Sequence, residues 1–162
     1  MDRFSDTDSL GVARDWLREQ IRDKGARCPC CTQMAKVYPR PIYTAQAAAL
    51  IKAFRVFEKD PGKWSTLRLP GGDYAKLRFW GLIVDIRELR EDGGPAGWWQ
   101  ITDLGEKWVR GTVTIPRFAW IYDNRCLGLD HESGDVSIHD VLGEAFNYDD
   151  LMGGVGGDGY AI

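Results

Sequence analysis

Apolar residues keep a helical period in the first third of the chain and then shorten into β-like runs. Leu10, Ala13, Leu17 and Ile21 recur about one turn apart with Trp16 alongside. Asp8 or Ser9 stands at the N-cap position, and Gly25 supplies a left-handed stop. A second helix is predicted over 45–58, capped by Thr44 and broken by Asp60-Pro61-Gly62, with Ala47, Leu50, Ile51, Phe54 and Phe57 on a broad inner stripe. Asp73 can accept the free N–H groups of a third, short helix that turns Tyr74, Leu77 and Trp80 inward and leaves Lys76 and Arg78 nearer water, with Gly81 as its stop. Leu82 to Ile86 is then β-rich, 87–97 is charged and contains Gly93-Gly94-Pro95, and Trp98 to Ile101 is aromatic and β-prone. That pattern predicts a hairpin with a long tip. Trp98 and Trp99 alternate faces in a strand, so one of them is expected at the surface. Thr102 is a good N-cap, Asp103 and Glu106 suit the positive end of the helix dipole, Trp108 and Val109 turn back to the core, and Gly111 ends the helix.

The last third is read as a hairpin over 116–129 around Asp123-Asn124, which tolerate the positive φ of a tight turn. A second turn at Ser133-Gly134-Asp135 follows, then a short strand at 136–138 running into a helix near 139–146. Gly153 to Gly159 offers too little apolar surface to fold and is expected to be a mobile tail. The fold class is therefore α+β. The expected parts are an N-terminal helix with a cysteine turn (1–43), a central unit (44–115), a C-terminal hairpin and helix extension (116–152) and the tail (153–162).

The central order of parts, with "Lys-Leu-Arg-Phe-Trp-Gly-Leu-Ile", a wing-like loop and "Ile-Thr-Asp-Leu-Gly-Glu-Lys", resembles the second half of the winged helix of MarR-like and PadR-like regulators. The resemblance implies duplex DNA as partner. Lys76 and Arg78 would sit at the major groove, Lys63 and Arg68 on phosphates, and Arg87 and Arg90 on the wing. It also implies pairing into a homodimer, to which the first helix could offer its stripe. The chain departs from the pattern upstream: breakers at Pro61-Gly62 and Pro70-Gly71-Gly72 leave Lys63 to Leu69, room for about two helical turns, where a positioning helix belongs. The alternative is that Tyr74, Leu77, Trp80 and Leu82 are simply core and the basic residues a solvated face. Over most of its length, including the ending "Ser-Ile-His-Asp-Val-Leu-Gly…Phe-Asn-Tyr-Asp-Asp-Leu-Met", the chain is also similar to small bacteriophage and prophage proteins. That similarity implies a phage origin and brings no catalytic residue.

Charge alters this picture by its distribution. The chain has 162 residues and a net charge of −3, yet 1–30 is balanced, 31–90 carries +6 and 91–162 carries −9. A basic middle suits phosphate contact, while the acidic end is most simply a solvated surface. Seven tryptophans make a second function class serious, a module that binds or inhibits a host protein through aromatic and acidic surfaces. No apolar run is long enough to cross a membrane. The charged Met1-Asp2-Arg3 start lacks the pattern of a secretion signal, so a cytoplasmic protein with reduced cysteines is expected.

The Cys-Pro-x-Cys spacing of Cys28 and Cys31 resembles the first knuckle of a zinc ribbon, where two thiolates on a tight turn share one ion. Cys126 and His131 could complete a Cys3His set. Cys30, His139 or a second subunit are other sources of ligands, and a metal-free turn with small buried thiols is the plainer alternative. A thioredoxin-like redox couple lacks its strand-to-helix context, because the extended segment Val37-Tyr38-Pro39-Arg40-Pro41 follows. His131 and His139 have acidic neighbours in sequence but no demonstrable base-and-orienter pair, and no nucleophile elbow or phosphate cradle is present. The chain is not expected to be an enzyme.

Overall fold

A computed structural model describes residues 5–71, 73–86 and 97–153. Helix α1 (Leu10–Ile21) is capped by Ser9, whose Oγ accepts Val12 N–H at 3.3 Å. It is stopped at Gly25, where φ is +78° and the N–H returns to Gln20 O at 2.9 Å. Two short antiparallel strands follow, β1 (Ala26–Arg27) and β2 (Met34–Ala35), with the cysteines in the turn between them. Strand β3 (Tyr38–Pro41) leads into α2 (Thr44–Phe57).

Helix α2 is the axis of the molecule. Its N-cap is Tyr43 rather than Thr44, because Gln46 reaches back to accept Tyr43 N–H at 2.8 Å, while Thr44 Oγ1 donates to Val141 O at 2.9 Å. Gln46, buried to 3%, also donates to Asp73 O at 3.0 Å, so its burial is compensated on both sides. The run Ala47-Ala48-Ala49-Leu50-Ile51 is wholly buried, since small side chains let neighbours close on more than one face of the helix.

After α2 come β4 (Gly62–Lys63), a 3-10 turn (Trp64–Thr66), a 3-10 helix (Tyr74–Trp80), β5 (Ile83–Asp85), β6 (Trp98–Ile101) and α3 (Asp103–Val109). The short helix predicted from Asp73 is present in the tighter 3-10 form. Asp73 contributes its main-chain carbonyl to Lys76 N–H at 3.0 Å, not a side-chain cap, and Gly81 ends the helix at φ +72°. Strand β6 lies between β4 and β5 in an antiparallel sheet, pairing Gly62 with Trp99 and Ile83 with Ile101. Trp99 is buried and Trp98 half-buried, so neither is the exposed anchor that alternation suggested. Thr102 Oγ1 accepts Gly105 N–H at 3.0 Å and donates to Gly81 O at 2.6 Å, which ties the start of α3 to the end of the 3-10 helix. A Cβ at Gly105 would overlap the Leu82 carbonyl oxygen, so glycine is what lets α3 approach this closely.

The remaining elements are β7 (Ile115–Pro116), β8 (Phe118–Tyr122), β9 (Arg125–Leu129), β10 (Asp135–Val136), α4 (Ile138–Leu142) and α5 (Tyr148–Leu151). The Asp123-Asn124 turn has φ of +48° and +57°, as its residues predict. Strand β8 sits between β3 and β9, and β7 pairs with β10. The predicted helix at 139–146 is shorter: α4 ends at Leu142, where Gly143 takes φ +53°, and Asn147 restarts a turn as the cap of α5. Residues 154–162, which include most of the expected tail, lie outside the described residues.

One large core runs from Ile42 to Leu151 and is shared by the central unit and the C-terminal extension. Two buried indoles join them: Trp80 Nε1 donates to Pro116 O at 2.8 Å and Trp108 Nε1 to Val136 O at 3.1 Å. A separate small cluster of Ile21, Ala35 and Val37, with Leu17 and Tyr122 against it, holds α1 and the cysteine turn.

Candidate functional site

The basic residues of the central unit occupy three different settings. Lys63 on β4 and Arg68 in the following loop are exposed, and Thr66 Oγ1 donates to Lys63 O at 2.6 Å, which stiffens that turn. Lys76 Nζ lies 3.2 Å from Asp73 Oδ1, and its side chain is only 26% exposed. Arg78 folds back on its own helix: Nη1 donates to Ala75 O at 2.8 Å and the guanidinium lies 4.4 Å from the Phe79 ring centroid. Arg87 and Arg90 fall outside the described residues.

The 3-10 helix that carries Lys76 and Arg78 is hemmed in. It packs on α2, β5 and β9, Phe79 O lies 3.9 Å from Cys126 Sγ, and every residue of 74–80 is at least half-buried. A helix that reads base edges must project side chains into a groove. Here the C-terminal hairpin takes up one flank of that helix. Phosphate contact from Lys63 and Arg68 asks less of the geometry, since it needs only exposed charge.

Lys59, expected among solvated positions, instead joins two helices. Its ammonium forms ion pairs with Asp103 and with Glu106, the latter at 3.7 Å, linking the end of α2 to the first turn of α3. The bond to Lys59 holds the Asp103 carboxyl below the usual carboxylate range and raises the Lys59 ammonium in turn. Arg110, 3.3 Å from Glu106, lies over the Phe54 ring at 5.2 Å. The acidic residues in the first turn of α3 were legible as dipole partners, but which cations would reach them was not.

The cysteine turn is closed by main-chain bonds. Cys28 N–H donates to Gln33 O at 2.8 Å and Thr32 N–H to Cys28 O at 2.9 Å, with Thr32 in the left-handed region at φ +63°. Arg27 Nη1 donates to Thr32 O at 3.1 Å across the turn. Backbone N–H groups of Cys31, then Cys30, point at the Cys28 sulfur and hold its thiol below the ordinary value. Cys28 is half-buried, while Cys30 and Cys31 are exposed. A cleft of about 360 Å³ lies beside them, bordered by Lys36, Tyr38, Arg40 and the β8–β9 turn.

The expected four-ligand set does not assemble. Cys126 sits half-buried on β9 facing the 3-10 helix, and His131 lies in the exposed turn after β9. In that turn Asp130 accepts Ser133 Oγ–H at 2.6 Å and Glu132 N–H at 3.0 Å. Among the described residues no three of His, Cys, Asp and Glu form a group that could hold a metal, so Cys28 and Cys31 share a turn without Cys126 or His131 joining them. The reason is topological: β9 is committed to pairing with β8 and to covering the 3-10 helix. The other histidine, His139, packs at a tilt of 57° against Tyr148 with ring centroids 4.3 Å apart, and the Tyr148 hydroxyl donates to Val109 O at 2.7 Å. Desolvation raises that phenol above its ordinary value. No described helix is long and apolar enough to cross a membrane. Compared with known proteins, the chain matches no family model, no curated protein and no solved structure.

Proposed function

We propose that the central unit binds duplex DNA in the manner of a winged helix, mainly through the phosphate backbone, as a phage-type DNA-associated or regulatory protein without a reaction of its own. The observation that carries this reading is the antiparallel β5–β6 pair, Ile83 opposite Ile101 and Asp85 opposite Trp99, placed directly between the 3-10 helix and α3. Helix, strand, return strand and helix then follow in the order a wing requires. The basic balance of residues 31–90 supports it, and the exposed Lys63 and Arg68 supply phosphate contacts. The restrained Lys76 and Arg78 favour modest sequence preference over close base reading.

The test is fluorescence anisotropy with labelled duplexes over a range of salt. Binding is expected at low ionic strength and should fall steeply as salt rises. Lys63→Glu with Arg68→Glu is expected to weaken all sequences alike and to lower the salt slope by about 2. No binding at low salt, or affinity indifferent both to that pair and to Lys76→Glu with Arg78→Glu, overturns the reading. A second reading, capture of a host protein, is favoured by the outer side of the C-terminal hairpin, where Trp120 and Leu127 are exposed. Recovery of nucleic acid alone from host lysate, or of a protein retained equally by Trp120→Ala and Leu127→Ala variants, would count against it.

A further inference from the structure

We propose that Cys28 and Cys31 form one half of a zinc site whose other half is the same pair from a second copy of this chain, one ion clasping two protomers through four thiolates. The half-site is already shaped. Strands β1 and β2 pair Ala26 with Ala35 and Arg27 with Met34, and the main chain closes the turn between them, so both cysteines are carried on a fixed loop. Cys28 and Cys31 border the same cleft, so the pair opens onto one space. Cys31 is exposed, so the pair can meet a partner from solvent.

Two thiolates leave a structural zinc half-coordinated, because such sites are tetrahedral and closed. The described residues offer no group of three ligands, and Cys126 is turned away toward Phe79. A two-fold axis through the ion solves this with no new residue type, since each copy brings the same pair. Four neutral thiols release four protons as they bind one zinc ion, and the resulting tetrathiolate carries two negative charges. Arg27, fixed across the turn, and Lys36 and Arg40 beside the cleft place positive charge near it from both copies.

The surroundings also call for cover. Met34 beside the turn is 56% exposed and Tyr38 52%, while the cluster beneath them contains only Ile21, Ala35 and Val37 as buried members. A second copy held by zinc would cover apolar surface that the chain leaves to solvent. This inference does not depend on the DNA reading.

The experiment is native mass spectrometry and sedimentation of the full chain with zinc and a non-thiol reductant, before and after a zinc chelator. A dimer holding one zinc is expected, and it should return to metal-free monomer with chelator. Cys28→Ser and Cys31→Ser are each expected to weaken dimerisation at least about tenfold, since each removes two of the four shared thiolates, while Cys30→Ser leaves the dimer intact. Circular dichroism of the variants confirms that the core is folded, since the turn lies outside it. Cobalt in place of zinc should give the charge-transfer bands of a tetrahedral tetrathiolate. A monomer with its own zinc, a dimer that survives chelation, failure to retain zinc, or loss of the dimer in Cys30→Ser would each overturn the assignment.

Discussion

The N-terminal helix and cysteine turn are held together by a different balance of forces from the rest of the molecule. From Ile42 to Leu151 one continuous core surrounds α2, with Trp64, Trp108, Leu50, Ile51 and Leu82 almost entirely removed from water. Before Ile42 the chain buries mainly Ala13, Ile21, Ala35 and Val37, and leaves Leu10, Val12, Met34 and Tyr38 exposed. A fully buried large apolar side chain contributes about 1.5–3 kcal/mol, so the core of 42–151 is held far more strongly than the segment before it, which buries few large side chains. The comparison teaches where added binding energy would matter. A metal or second copy at the cysteine turn acts where the protein's own burial is thinnest.

The largest expected effect is in the main core. Trp108→Ala removes a buried indole and its bond to Val136 O, and should cost about 3–5 kcal/mol in urea unfolding, with the whole 42–151 region melting together. A loss under about 1 kcal/mol would mean that the two halves of this core are not coupled as described.

A smaller global effect is expected at the edge of the satellite cluster. Ile21→Ala should lower global stability by less than about 1 kcal/mol, because α1 can open without the core. Hydrogen exchange should show amides of Leu10–Ile21 losing protection while those of Leu50 and Ile51 keep it. Equal loss in both would abolish the contrast between the regions.

The smallest effect belongs to the cap of α4. Ser137 N–H donates to Asp140 at 2.8 Å and Ser137 Oγ accepts Asp140 N–H at 3.1 Å; the first bond, with the Ser137 hydroxyl second, holds the carboxyl below its usual range. A depressed carboxylate stabilises the fold above its unfolded pKa of about 3.9 and loses that contribution as pH falls through the folded value. Asp140→Ala should therefore lower the melting temperature slightly at pH 7, and the gap to the natural protein should close in strong acid. A gap that stays constant with pH would show that the cap acts through packing alone.

Local elements were read from the sequence because their causes are local. Helical spacing in α1 and α2, the Ser9 and Thr102 caps, the Gly81 stop and the Asp123-Asn124 turn each follow from a few adjacent residues. The expectations that changed depend on contacts distant in sequence. Gln46 displaced Thr44 from the capping role because Val141 O took the threonine hydroxyl, 97 residues away. The short helix at Tyr74–Trp80 adopts the 3-10 form between α2 and β9, and that same packing turns Cys126 away from Cys28. Lys59 shows the same thing for charge, since its partners Asp103 and Glu106 lie on another helix.

The sequence by itself determined the α+β composition, helices α1 and α2, the cap of α3, the Asp123-Asn124 hairpin turn and the two-cysteine turn, because periodicity, caps and turn residues act over a few positions. Only the tertiary structure decided that the C-terminal hairpin closes over the 3-10 helix, that one core serves residues 42 to 151, and that Cys28 and Cys31 stand without Cys126 and His131. Those outcomes turn on which surfaces meet, and meeting is decided by competition for burial and hydrogen bonds between segments far apart in the chain.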